Sequence, residues 1–209
     1  MKVIKSIETT DAILTYSNIA EDEHPAWLSG TSYNVNTRVI YQHKIYERIV
    51  TGAGTTPPDL DQVNWLDLGY TNRYRMFDNI ISSVSGQMGG IEFTLTPNQI
   101  VNGIALLNVN ASTVRVVMTD PVDGVVYDKT KELRSSSNVI DYFSYFFAPL
   151  VNLGDLDTAI FLDLPNKPTA TITVYVSSGA ALVEVGEVVY GVQSEIGRAS
   201  CRERVSSPV

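Results

Sequence analysis

Apolar and polar residues alternate in two different ways along this chain, and the change falls near Gly69. Beyond Asp78 the period is two: Ile91, Phe93 and Leu95 share one face of one stretch, and Ala170, Ile172, Val174 and Val176 share one face of another. Such alternation predicts strands with one buried face. Residues 101–109, 113–119, 125–127, 158–164 and 182–190 are further candidates, and Asp120-Pro-Val-Asp-Gly124 carries hairpin turn chemistry. Residues 139–147 fit a helical stripe at Val139, Tyr142, Phe143 and Phe146 as well as a strand apolar on both faces; aromatic and β-branched content favours the strand. About eight strands with no interleaved helix predict that residues 80–192 form a two-layer antiparallel β-sandwich of jelly-roll type.

Residues 25–68 read differently. Turn residues are dense here (Ser29-Gly-Thr31, Asn34-Val-Asn36, Gly52-Ala-Gly54, Pro57-Pro-Asp59), and they bracket two strand-sized pieces, 38–41 and 44–50, joined at Gln42-His43 in the manner of a hairpin. About forty residues cannot build a conventional core, so Trp27, Tyr33, Tyr41, Tyr46 and Trp65 have to provide most of the buried area. The expectation is a small aromatic-rich three-stranded module, a junction over 69–79 and then the sandwich, the whole being all-β. Residues 1–24 alternate weakly and read as an arm with one or two short strands; a short helix capped by Thr10-Asp11 is the alternative.

Composition narrows the classes. With 44% hydrophobic and 18% charged residues the chain can bury a real core. No apolar run reaches the roughly 18 residues of a membrane span, and residues 1–10 lack the apolar centre of a secretion signal, so a soluble protein used without export is expected, with no membrane insertion. The net charge of -8 disfavours nucleic acid as a partner, Arg73 and Arg75 being the only close pair of arginines in the body of the chain. Residues 195–209 break the β pattern and hold the one cysteine, Cys201. Ile196 to Val205 resemble a common sequencing adapter translated in one frame, so this tail reads as foreign to the protein; a genuine flexible basic tail is the alternative. The body is then free of cysteine, which excludes disulfides and thiol chemistry.

No catalytic set emerges. His24 sits among Glu21, Asp22 and Glu23, but consecutive side chains diverge, and a solvated acidic bend before Pro25 accounts for it. His43 occupies a hairpin turn, where an exposed polar residue is the ordinary expectation. Ser82, Ser83 and Ser85 lack the frame of a nucleophile elbow. Asp120, Asp123, Asp128, Asp155 and Asp157 could in principle pair as glycosidase acids, yet their places beside Gly and Pro suit turn formers. A calcium loop at residues 152–157 is too short a pattern to be specific. No metal, cofactor or enzymatic activity is expected.

Two resemblances add to this. Trp27-Leu-Ser-Gly-Thr-Ser-Tyr33, Val39-Ile-Tyr41, Lys44-Ile-Tyr46, Thr51-Gly-Ala-Gly54, Pro57-Pro58 and Trp65 resemble the small chitin-binding modules of chitinases over about forty residues. The chain departs from them at Asn36-Thr37 and at Ile49-Val50, the latter where an aromatic pair is usual. The resemblance implies sugar stacking on Trp27, Tyr33, Tyr41, Tyr46 and Trp65, although the same rings can equally be the core of a tiny domain. Gly69-Tyr-Thr-Asn-Arg-Tyr-Arg-Met-Phe-Asp78, Val125-Val-Tyr-Asp128, Asp141-Tyr-Phe-Ser-Tyr-Phe-Phe147 and Val185-Gly-Glu-Val-Val-Tyr-Gly191 are similar to a group of tailed-bacteriophage virion proteins. That implies a non-enzymatic component of the tail, baseplate or collar, in several copies, assembled in the bacterial cytoplasm against other virion proteins. A host-surface glycan adhesin acting through the small module is the alternative. Arg73, Tyr74 and Arg75 would then face a partner, unless Tyr74, Met76 and Phe77 pack between the two domains.

Overall fold

The computed structural model describes residues 2–134, 142, 146 and 156–195. Its larger part is an antiparallel β-sandwich. The strands are β1 (Lys2–Ser6), β2 (Leu14–Ser17), β3 (Ser32–Tyr33), β4 (Arg38–Tyr41), β5 (Lys44–Arg48), β6 (Gly52–Ala53), β7 (Trp65–Tyr70), β8 (Ser85–Met88), β9 (Ile91–Leu95), β10 (Gly103–Asn110), β11 (Thr113–Asp120), β12 (Gly124–Glu132), β13 (Thr158–Phe161), β14 (Thr171–Ser177) and β15 (Leu182–Glu195). One sheet runs β1-β15-β10-β13 with β8 also on β15; the other runs β12-β11-β14-β9-β2. From β8 onward the chain passes repeatedly from sheet to sheet, the winding of a jelly roll.

The period-two positions face each other across the sandwich. Ile91, Phe93, Leu95, Ile172, Val174, Val176, Val114, Val116 and Met118 of one sheet meet Ile104, Leu106, Phe161, Val183, Val185 and Tyr190 of the other, all essentially without solvent contact. Each such side chain contributes about 1.5–3 kcal/mol through burial. Long β15 is the spine, pairing with β8, β10 and β1 in turn. Where β1 crosses it, a Cβ on Gly191 would lie 1.9 Å from the Lys5 carbonyl oxygen, so only glycine lets the two backbones meet.

Three sequence expectations change. Residues 1–24 hold the two short strands expected of them, yet as part of the sandwich: β1 pairs with β15 in one sheet and β2 with β9 in the other, and Leu14 and Ile19 are buried in the main core. β1 is exposed along nearly its whole length and β2 buries only its first residue, so little of either strand has to be apolar and little alternation shows. The sandwich runs past 192, because Glu195 still pairs with Lys2. Finally, Tyr142 and Phe146 are helical, with ring centroids 4.9 Å apart, whereas the rest of the strand expected at 139–147 lies outside the described residues, as do Asp155, most of the 152–157 loop and residues 196–209.

Between β2 and β8 the chain builds the small module, a three-stranded sheet β4-β5-β7 beside a two-stranded one, β3-β6. Its core of Val39, Tyr46 and Trp65, flanked by Trp27, Tyr33 and Tyr41, is separate from that of the sandwich. No helix of the described residues is long and apolar enough to cross a membrane.

Candidate functional site

The five rings that the sequence groups together split into two sets. Tyr46 and Trp65 sit on neighbouring strands at 4% and 3% exposure, which closes their faces to any sugar. Tyr33 meets Trp65 edge to face at 5.3 Å and spends its hydroxyl on the Leu28 amide at 2.8 Å. The buried Arg48 guanidinium lies 4.9 Å from the Trp65 ring centre and donates to the Gly52 carbonyl, so the ring's π cloud stands in for a carboxylate. Trp27 and Tyr41 are different. Both are half-buried and pack edge to face at 5.4 Å, and Trp27 is fixed by its amide bond to the Ile40 carbonyl. They form an aromatic corner that the module covers only in part.

A second cluster fastens the module to the sandwich, and its centre is His43. The Gln42-His43 turn of the β4–β5 hairpin has both residues at positive φ, 47° and 63°, the conformation that Asn-Gly usually fills. Contacts hold His43 in place there. Its Nε2 lies 2.8 Å from Asp11 and its Nδ1 3.0 Å from Glu21, while the ring stacks on Tyr74 at 4.0 Å. Tyr74 donates to the same Asp11 at 2.6 Å, and Thr71 donates to Glu21 at 2.8 Å. The Tyr74 hydroxyl, and after it His43, holds the Asp11 carboxyl below the ordinary carboxylate range, whereas burial first and donation to Asp11 second push the Tyr74 phenol far up. His43 is therefore half-buried and engaged, not the exposed turn residue that the sequence suggests. The signal available was the Gln-His pair itself, a poor choice for such a turn unless something else holds it.

The Arg73-Tyr74-Arg75 triplet lies in this junction. Tyr74 is 7% exposed, Arg73 donates to the Ile19 carbonyl at 2.7 Å, and Arg75 donates to the Tyr70 carbonyl at 3.1 Å. Met76 is fully buried and Phe77 packs edge to face on Phe93 at 5.6 Å. The triplet's visible contacts thus lie within the chain.

Beside it opens a cavity of about 260 Å³ between the residues after β1 and the junction, lined by Glu8, Thr9, Tyr70, Tyr74, Phe77 and Asp78 among others. Among the described residues no group of three or more His, Cys, Asp or Glu is placed to hold a metal. Asp120 and Asp123 serve their turn: Asp120 accepts the Val122 and Asp123 amides and the Thr169 hydroxyl, and Asp123 pairs with Lys167.

No protein-family model matches the chain and no curated protein matches it. Among solved structures it is similar to a Streptococcus pneumoniae fucose-binding module (15% identity, 56% of this chain and 79% of that one, TM-score 0.38). It is also similar to the lectin domain of lectinolysin complexed with Lewis B antigen (12% identity, 56% and 80%, TM-score 0.37). A third likeness is to chitosan-binding module 1 of a chitosanase/glucanase from Paenibacillus sp. IK-5 (11% identity, 56% and 83%, TM-score 0.35). At these TM-scores the likenesses carry no inference about this chain; its sandwich is defined by its own sheets.

Proposed function

We propose that this is a non-catalytic glycan-binding protein whose small module offers the Trp27–Tyr41 corner to a sugar. The observation that carries the reading is that Trp27 and Tyr41 flank the module's core of Val39, Tyr46 and Trp65 without being enclosed by it: they pack on each other and stay half-buried, with the Trp27 amide bonded to the Ile40 carbonyl. Sugars are held by stacking their C–H faces on such rings, with polar neighbours fixing the orientation. Titrating the full chain with chitin oligomers or host cell-wall fragments while following tryptophan fluorescence tests this. A saturable change that Trp27→Ala abolishes is expected, and silence at millimolar ligand overturns it.

A second reading, a structural component of a phage tail region present in several copies among other virion proteins, is favoured by β7. It is the edge strand of the module sheet, and Leu66 and Leu68 on it are 50% and 43% exposed, with Val63 just before them at 80%. An open, apolar edge is a surface to which a further strand can add. Density of an intact particle with no subunit against β7 or against residues 71–78 would count against it.

A further inference from the structure

The geometry points to a second ligand site, distinct from the Trp27–Tyr41 corner and independent of it: we infer that the junction cavity binds an amino sugar, recognised through its protonated amine. Three features converge there. First, the volume of about 260 Å³ falls just under the roughly 300–1,000 Å³ of pockets that take drug-sized ligands, which suits a single ring and not an oligomer. Second, the charge of the lining has one sign. Glu8 and Asp78 contribute carboxylates and the lining has no lysine, arginine or histidine. Glu8 makes no hydrogen bond or ion pair with any described residue, and Asp78 commits one oxygen to the Ile80 amide at 2.8 Å while the other accepts nothing. An anion is repelled from such a site and a cation is drawn in.

Third, the remaining lining suits an organic cation and not a bare ion. Tyr70, Tyr74 and Phe77 give it aromatic walls, the surroundings in which an ammonium group gains from ring quadrupoles and a pyranose gains from stacking. A hard metal ion would find two carboxylates and too few further oxygens, consistent with the lack of any three-ligand cluster among the described residues. Ser6 and Asn79 add polar groups that pair with sugar hydroxyls, and Thr9 lines the cavity with its own hydroxyl shared with Tyr190 at 2.9 Å. The walls are also pre-set: Tyr74 is clamped by His43 and Asp11 behind the cavity, and Phe77 is packed on Phe93. A ligand therefore does not have to order them.

The test is calorimetric titration of the full-length protein with glucosamine, N-acetylglucosamine and glucose at mildly acidic pH. Glucosamine is expected to bind, and the acetylated and amine-free sugars to bind at least about tenfold more weakly. Glu8→Gln and Asp78→Asn, which keep the shape and the Ile80 bond, should each weaken glucosamine roughly two- to fivefold, the worth of one partly screened charge contact, without moving the melting temperature. Repeating the three titrations in Trp27→Ala, which removes the module's corner, should keep glucosamine ahead of the other two sugars by the same margin, and this assigns the preference to the junction cavity. Equal binding of the three sugars, no glucosamine heat at tens of millimolar, or full binding by the double variant Glu8→Gln/Asp78→Asn would each overturn the inference.

Discussion

At the residue scale the most informative group is Tyr74, because it links three contacts that no single stretch of sequence contains: Asp11, 63 positions upstream, His43, and the main core. The sequence leaves two readings of Tyr74, contact with a partner or packing between the two domains; its visible contacts, with His43 and Asp11 of its own chain, are of the second kind. Its phenol is pushed up in the fold, as is that of Tyr127, in each case by burial first and then by donation to a carboxylate, Asp11 or Asp163. A raised phenol contributes stability that is fully present below its unfolded value of about 10 and is lost as pH rises beyond it. Asp11 has the opposite sign: its carboxyl is held down in the fold, so its contribution is present above an unfolded value of about 3.9 and is lost as pH falls through the folded one. Denaturant melts from pH 3 to 11.5 should therefore give a plateau with a fall at each end. In Tyr74→Phe the plateau should drop by about 1 kcal/mol, one hydrogen bond to a partly exposed carboxylate, and the alkaline fall should become shallower, with Tyr127 still contributing. An alkaline limb identical to the parent's would refute the assignment.

At the scale of elements, legibility followed the number of covered faces. Strands β9, β11 and β14 stand out in the sequence because each buries one face and wets the other, as at Ile91, Phe93 and Leu95. The strand β10, buried on both faces from Gly103 to Leu106, shows only as an apolar run, and its start was readable to within a couple of residues. Edge strands were the least readable. β1 and β2 carry few apolar residues, and nothing local says that one belongs to each sheet, since that depends on pairing with β15 and β9 far along the chain. In the module, the ring count was legible but the division of labour was not, because which of five aromatics becomes the core depends on how β5 and β7 pair. Arg48 opposite Trp65 settles that register. Trp65→Ala should accordingly cost about 3–5 kcal/mol, more than so small a core can lose, and hydrogen exchange should register it as fast amides over residues 33–70 beside a still-protected β9, β11 and β14. Uniform deprotection of both parts would mean that the two cores fold as one.

For the whole molecule, the question is what keeps two separate cores in a fixed relation. Two apolar clusters that do not merge leave the work to polar contacts: Asp11 and Glu21 on His43, Thr71 on Glu21, the Asn72 amide on Glu23, and the Asn72 side chain bonding both the carbonyl and the amide of Gly86. Only the His43 contacts reach from the tip of the module's hairpin back to the sandwich; the others tie down the chain where it leaves and re-enters. Interfaces built this way resemble transient contacts more than cores, so they can open without unfolding either partner. Both ring nitrogens of His43 lie against carboxylates, Nε2 on Asp11 and Nδ1 on Glu21, so one side chain bridges the hairpin tip to two points of the chain around β2. His43→Ala should leave the circular dichroism of both parts intact while raising the radius of gyration measured by small-angle scattering, and module amides should then tumble faster than sandwich amides in NMR relaxation. If the variant instead keeps the parent's scattering curve, the chain segments at residues 18–24 and 70–78 are stiff enough by themselves, and the histidine serves only to hold its own strained turn.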